Sequence, residues 1–248
     1  MIFLMYGGIF VKLFVDKIIA EIDKLVLELG FKRRKKKYYR LMDGYVQSFM
    51  VYTNRESFSI RFFQLPFCAN VGKNFEGDDV SIFWSDKSEP FSLIQVYMPT
   101  FEYIPYNPFG ITLTSENYQD KAAEMLVRSV NEYVLPYFQC SSNLEKAYEA
   151  EHKLKTAFVS RGCEKQNVSN YAEEMYSECF GNWNIQMKQY NEAERYMKIY
   201  LKSLQEYGSD NTEELQKLIN ALEIHDSDYV ENYIESHKLL CFSAMGIK

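Results

Sequence analysis

The last proline of this chain is Pro136, and none occurs from there to Lys248. Proline removes a backbone donor and clashes with the preceding turn of a helix, so a proline-free stretch of this length accommodates consecutive helices. The six prolines all lie in the first part, among alternating and aromatic segments of strand grammar. Charge divides at the same place. Residues 1–140 hold 16 basic and 16 acidic side chains, whereas residues 141–248 hold 12 and 18, which accounts for the net charge of −6. The sequence therefore predicts two regions, an α+β domain over 1–160 and a helical region over 161–248. The boundary falls near Cys140 to Arg161, with Arg161-Gly162-Cys163 as the linker.

The first region opens with a helix, because Phe14, Ile18, Ile22, Leu25 and Leu29 recur at steps of three and four. Gly30 stands where a left-handed cap belongs, and Phe31 can pack back on the last turn. Tyr38 to Met42 and Tyr45 to Tyr52 read as strands joined at Asp43-Gly44, a hairpin signal. Ser57 to Leu65 alternates as a third strand, and Asp79 to Trp84 and Leu93 to Met98 read as further ones. Short consecutive strands favour an antiparallel meander. Ala122, Leu126, Val130 and Val134 then predict a helix from about Asn117 to Phe138, ended or kinked by Pro136. Ser142-Asn143-Leu144-Glu145 has capping-box spacing and starts a helix to about Phe158. The expected fold is α+β, an antiparallel sheet with helices on one face, followed by an all-helical region.

Leu29-Gly30-Phe31-Lys32, the basic residues leading into Tyr38-Tyr39-Arg40, the strand Ser57 to Phe63 and Leu135-Pro136-Tyr137-Phe138 resemble the bacterial family known as domain of unknown function 4304. The likeness covers roughly residues 12–158. It implies a helix closed by Gly-Phe, an aromatic-led sheet and a late helix ending at Leu-Pro-aromatic. It carries no activity and no catalytic residue; some relatives look like components of toxin–immunity or similar accessory loci.

In the second region Gly181 and Ala193 stand twelve positions apart, with Phe180 before the glycine and Tyr190, Met197 and Tyr200 on one later face. Small residues at that spacing let two helices cross closely, and Cys179 to Leu204 resembles one tetratricopeptide unit. It departs from that pattern at Ser177, where an aromatic is usual, and in having no closing proline. A generic helical hairpin explains the same residues. Flanking helices are expected at Ser169 to Met187, Glu213 to Leu222 and Asp226 to Leu240.

Several functions are disfavoured. The acidic balance argues against a general nucleic-acid binder, and no apolar run approaches the roughly 18 residues of a membrane span. Met1 to Phe10 is apolar but lacks the basic start of a signal peptide, so it reads as an extra strand or arm, or as a start placed ahead of Met5. The five cysteines, Cys68, Cys140, Cys163, Cys179 and Cys241, are widely spaced with no C-x-x-C, as in reduced cytoplasmic proteins. No phosphate-binding loop, dinucleotide fingerprint or nucleophile elbow occurs, so no catalytic residue, metal ligand or cofactor is assigned.

Two surfaces remain as binding candidates. Tyr103, Tyr106 and Phe109 flank prolines in a loop, where exposed aromatics make a contact surface or else pack over the sheet edge. Glu173, Glu174, Glu192 and Glu194 form an acidic helical face, which could equally be a solubility face. The run Lys32 to Lys37 reads as a solvated turn before the first strand, with an anion contact as the competing reading. The expected function is non-catalytic protein binding by a cytoplasmic accessory protein, as an immunity or regulatory factor. The expected partner is a protein, with neither nucleic acid nor membrane. The rival is an enzyme or small-ligand binder with a pocket between sheet and helices, using His152 or an acidic pair as general base.

Overall fold

In the computed structural model, the described residues are 15–53, 57–69, 111–112, 124, 126–162, 173–174, 176–208 and 212–245. They form two compact units. One takes residues up to 41, 47–63 and 111–140; the other takes 42–46, 64–69 and 141 onward. The architecture is α+β followed by helices, as expected. The expected strands at 79–84 and 93–98, the segment 1–10 and the 103–109 loop lie outside the described residues.

The first unit begins with helix α1, described over 15–26, which tightens into a 3-10 turn at Leu27–Leu29. Val15, Ile18, Ile19, Ile22 and Val26 are buried along one stripe. Each fully buried aliphatic side chain contributes roughly 1.5–3 kcal/mol relative to exposure. Leu29, expected on that face, is exposed, because the 3-10 turn rotates the last residues off the stripe. Gly30 takes φ +86° and closes the helix. Its N–H donates to Leu27 O at 3.1 Å and the Phe31 N–H donates to Val26 O at 3.3 Å, the paired bonds of a Schellman cap.

The sheet runs β1 (Lys32–Arg34), β2 (Lys37–Leu41), β3 (Tyr45–Thr53), β4 (Ser57–Pro66) and β5 (Ile111–Thr112), each beside its chain neighbour. The basic run therefore forms an edge strand and a tight turn. β1 pairs antiparallel with β2, with Lys32 opposite Tyr39, Arg33 opposite Tyr38 and Arg34 opposite Lys37. Lys35 turns the chain at φ +55°. Charged residues on a short edge strand discourage pairing with other chains.

Tyr38 stacks on Phe49 at 4.6 Å, Phe31 meets Phe49 edge-on at 5.5 Å, and Phe62 meets Tyr137 at 5.1 Å. The Tyr38 hydroxyl donates to Asp23 Oδ1 at 2.9 Å, and Arg33 Nε pairs with the same carboxylate at 3.0 Å.

Helix α2 is described from 126 to 139. Pro136 does not end it. A π turn at Val130–Val134 precedes the last α turn, Leu135–Gln139, and the Leu135 N–H reaches back to Val130 O. The wider turn shifts the hydrogen-bond register just ahead of a residue that has no N–H to give. Buried Gln47 ties this helix to the sheet, donating to Phe138 O at 3.0 Å while its Oε1 accepts from Arg40.

The second unit is helical apart from short strand ends. Helix α3 spans Leu144–Gly162, so the expected 160/161 boundary falls inside a helix. Its cap is Asn143, one residue later than the capping-box spacing placed it: the Lys146 N–H donates to Asn143 Oδ1 at 2.9 Å. Lys146 sits where the box needs Glu or Gln, so no reciprocal bond can form.

Helices α4 (Ser177–Gln186), α5 (Tyr190–Glu206), α6 (Glu213–Glu223) and α7 (Ser227–Met245) follow. The helix expected from Ser169 does not run continuously to Met187. Tyr176, at φ −114° and ψ +20°, breaks it before α4.

Helices α4 to α7 are two copies of one hairpin. In the first, Lys188 N–H donates to Ile185 O and Gln189 N–H to Asn184 O. In the second, His225 N–H donates to Leu222 O and Asp226 N–H to Ala221 O. Lys188 and His225 both take the left-handed conformation, at φ +58° and +55°. The offset is 37 residues (225 − 188), and it also relates Ile185 to Leu222, Ala193 to Val230 and Met197 to Ile234, all in one core with Cys68.

Candidate functional site

Three of the four candidates of the acidic face converge on Arg195 and Lys198 of α5. Glu173, on helical backbone ahead of α4, pairs with Arg195 at 2.8 Å. Glu192 reaches the same guanidinium from one turn away at 3.1 Å. Glu194 pairs with Lys198 at 2.7 Å, and Lys198 also bonds Glu223 of α6. Glu174 is exposed, and its backbone carbonyl accepts from the Ser177 hydroxyl at 3.1 Å. Three of the four carboxylates are therefore neutralised within the chain. The i,i+3 and i,i+4 spacings of Glu192–Arg195 and Glu194–Lys198 were visible in the sequence; the Glu173–Arg195 pair joins separate elements and carried no local signal.

Around this pair lies an aromatic wall. The Arg195 guanidinium carbon sits 4.1 Å over the Tyr196 ring, and the Tyr196 hydroxyl is 3.5 Å from Glu173 Oε1. Tyr196 meets Phe180 edge-on at 5.5 Å. Burial, then the hydrogen bond with Tyr148, holds the Tyr196 hydroxyl protonated, well above its ordinary range. The Glu173 hydrogen bond, chiefly, keeps Arg195 charged.

His152 of α3 lies against Phe180 at 4.6 Å and near Tyr148 at 5.8 Å. Its pKa is lowered. Desolvation dominates, Glu173 works the other way, and Arg195 adds to the lowering. A half-buried imidazole kept neutral beside a carboxylate is chemically able to accept a proton. Glu173, however, is already occupied by Arg195.

The other histidines stand apart from this group. His225 caps α6, with Nε2 3.1 Å from Asn191 Oδ1. His237 stacks on Tyr233 at 3.9 Å with Nδ1 2.9 Å from Tyr233 O, and burial lowers its pKa. Among the described residues no group of three or more His, Cys, Asp or Glu is placed to hold a metal ion. No described helix is long and apolar enough to cross a membrane. Tyr103, Tyr106 and Phe109 lie outside the described residues.

A more deeply buried polar group surrounds α4. Glu151 Oε1 accepts the Gln64 N–H at 2.9 Å, and Gln64 Nε2 donates to Ser141 Oγ at 2.8 Å. Tyr45 donates to Ser141 O at 2.7 Å. Cys68 Sγ donates to Asn182 O at 2.9 Å, and burial pushes that thiol far up. These bonds satisfy groups that would otherwise be costly to bury. They read as architecture.

Comparison with protein-family models, with curated proteins and with solved structures gives no match.

Proposed function

We propose that this is a non-catalytic protein-binding accessory protein of the cytoplasm, an immunity or regulatory factor, in which the helical unit is the docking platform. The observation that carries the reading is the doubled hairpin. Two helix pairs with the same caps and the same buried positions, 37 residues apart (225 − 188), support the reading of a tetratricopeptide-like stack. Stacked helical pairs bury one side of each helix and present extended surfaces on the others. Among the described residues Cys68, Cys140, Cys179 and Cys241 stand outside any disulfide, which supports the compartment. The Gly30-Phe31 closure of α1 and the aromatic lead of β2 support keeping the likeness to domain of unknown function 4304 within the proposal.

The geometry also narrows the surface. Glu173, Glu192 and Glu194 are spent on internal ion pairs, which leaves Glu174 as the acidic-face residue most available to a partner.

The test is co-purification of the tagged full chain at native level in its own host, read by mass spectrometry against a tag-only control. A stoichiometric partner that rebinds the purified chain in titration calorimetry supports the reading. No partner in repeated pulls, together with a thermal shift from a small ligand, overturns it in favour of the pocket-based rival.

A further inference from the structure

The basic run Lys32 to Lys37 makes up β1, its turn and the start of β2, and the ladder sorts its residues. The Val51 N–H donates to Lys36 O at 3.0 Å, so the Lys36 backbone faces β3. In an antiparallel pair, successive residues turn their backbone groups to opposite sides. Lys37 and Tyr39 therefore face β1, and their partners Arg34 and Lys32 face back. Arg33, between them, turns its N–H and C=O to the outer edge, where no described residue bonds them. To either side, the Phe31 N–H is taken by Val26 O and Lys35 O accepts from Arg33 Nη1 at 3.0 Å. Among the described residues β1 ends the sheet, with β2 as its neighbour.

Side chains alternate between the two faces of the same strand. Arg33 lies on the α1 face, where Asp23 pairs with it at 3.0 Å. Lys32 and Arg34 lie together on the other face, about 7 Å apart along the strand at ~3.4 Å per residue. Both are exposed, and neither has a hydrogen bond or ion pair with a described residue. Two unneutralised cations and one outward backbone pair thus stand on a single edge. A phosphate backbone would meet the cations, but it carries no N–H to give the Arg33 C=O. An extended peptide meets all three. Its backbone exchanges two bonds with Arg33, while the residues one before and one after stand opposite Lys32 and Arg34 on their face. The same cations turn away another basic edge, a second copy of β1 included.

We propose that β1 takes up an extended acidic segment of a partner protein as an added strand, with Asp or Glu at two positions separated by one residue, opposite Lys32 and Arg34. This rests on the protein-binding reading above and adds a surface of the first unit to the helical platform.

The probe is a short fluorescein-labelled peptide of threonine and valine with two glutamates separated by one residue. It is titrated into the full chain at low salt, by anisotropy and by amide NMR of the isotope-labelled protein. One control sets the glutamates next to each other, so that they fall on opposite faces. A second carries an N-methyl group on the residue between them, which removes the donor to the Arg33 C=O. Wild type is expected to bind the probe, with the Arg33 amide proton moving downfield as it gains a bond, and to bind both controls more weakly. Lys32→Glu/Arg34→Glu should bind the probe about tenfold more weakly. It should also bind the peptide with lysines in place of the glutamates better than wild type does. Circular dichroism should show unchanged folding, since both side chains are exposed.

No binding of the probe by wild type, equal binding of either control, or a variant that binds like wild type overturns the proposal. So does a thymidine oligonucleotide that displaces the probe at lower concentration than the unlabelled peptide, because the hairpin is then a nucleic-acid contact. A dimer in sedimentation that the variant dissolves overturns it as well, because a second copy then covers the edge. The native pull-down separates this failure from that of the broader reading. A partner retained by Lys32→Glu/Arg34→Glu refutes the β1 surface alone, whereas no partner on wild type refutes protein binding itself.

Discussion

Substituting Gly181 tests whether the close crossing of α4 and α5 is a designed contact or an incidental one. Gly181 is buried inside α4, and a methyl built there meets Met197 Cε at 2.7 Å, Sδ at 3.1 Å and Cγ at 3.2 Å. Two effects oppose each other in Gly181→Ala. Alanine is favoured over glycine in a helix interior by about 0.8–1 kcal/mol. Against this, carbon contacts want about 3.5–4 Å. The Cε atom could swing away alone, but Cγ is also too close, so the whole Met197 side chain must leave its seat. Met197 is itself 2% exposed in a filled core. Overpacking of that kind costs about 1–3 kcal/mol.

The net expectation for Gly181→Ala is destabilisation of about 1 kcal/mol, or roughly 2–4 °C in Tm for a chain of this size. Met197→Ala alone should cost about 2–5 kcal/mol by leaving a cavity. In that background the clash is gone, and Gly181→Ala should stabilise by about 1 kcal/mol through helix propensity. The coupling is then about 1–3 kcal/mol, well above the ~0.3–0.5 kcal/mol scatter of independent sites. Urea unfolding of the four proteins, followed through Trp183 two residues away, measures it. The packing argument fails if Gly181→Ala stabilises wild type and the Met197→Ala variant alike.

Other expectations follow from the same geometry. Lys188 holds φ +58° at the end of α4, so Lys188→Gly should raise stability by about 0.5–1 kcal/mol, since its exposed pair with Glu231 is worth little; a fall in Tm on thermal scanning would contradict this. His152 and His237 have lowered pKa values in the fold, chiefly from burial. The unfolded chain then binds protons more readily, so their contribution is complete above the ordinary value of about 6.5 and is lost as pH falls through and below it. Tm should drop between pH 7.5 and 5.5, and His152→Gln should flatten that slope. Cys140 is exposed, whereas Cys68, Cys179 and Cys241 are buried, with Cys241 pushed up to about 12 by burial. Iodoacetamide labelling of the native chain with peptide mapping should modify Cys140 well before those three.

The parts of the fold that were legible share one property: the residue type needed there differs from its neighbours. Gly30 must reach positive φ, and a glycine after a periodic helix announces it. Asp43-Gly44 announces a hairpin in the same way, with Gly44 at φ +83°. The parts that were missed lack such a contrast. β1 consists of Lys32, Arg33 and Arg34, all exposed, so no hydrophobic alternation marks it as a strand. Only its pairing with β2 does. The π turn ahead of Pro136 leaves the spacing of Leu126, Val130 and Val134 intact, and it changes backbone register where side-chain patterns are blind.

The doubled hairpin shows the same limit in the functional region. The first copy was found through two small residues, Gly181 and Ala193. At the matching places the second copy carries Leu218 and Val230, so the small-residue signal is erased while the burial survives. What repeats is a pattern of caps and buried faces. Different side-chain sizes satisfy it as long as each hairpin fills its own crossing, so identity matching alone sees a single unit.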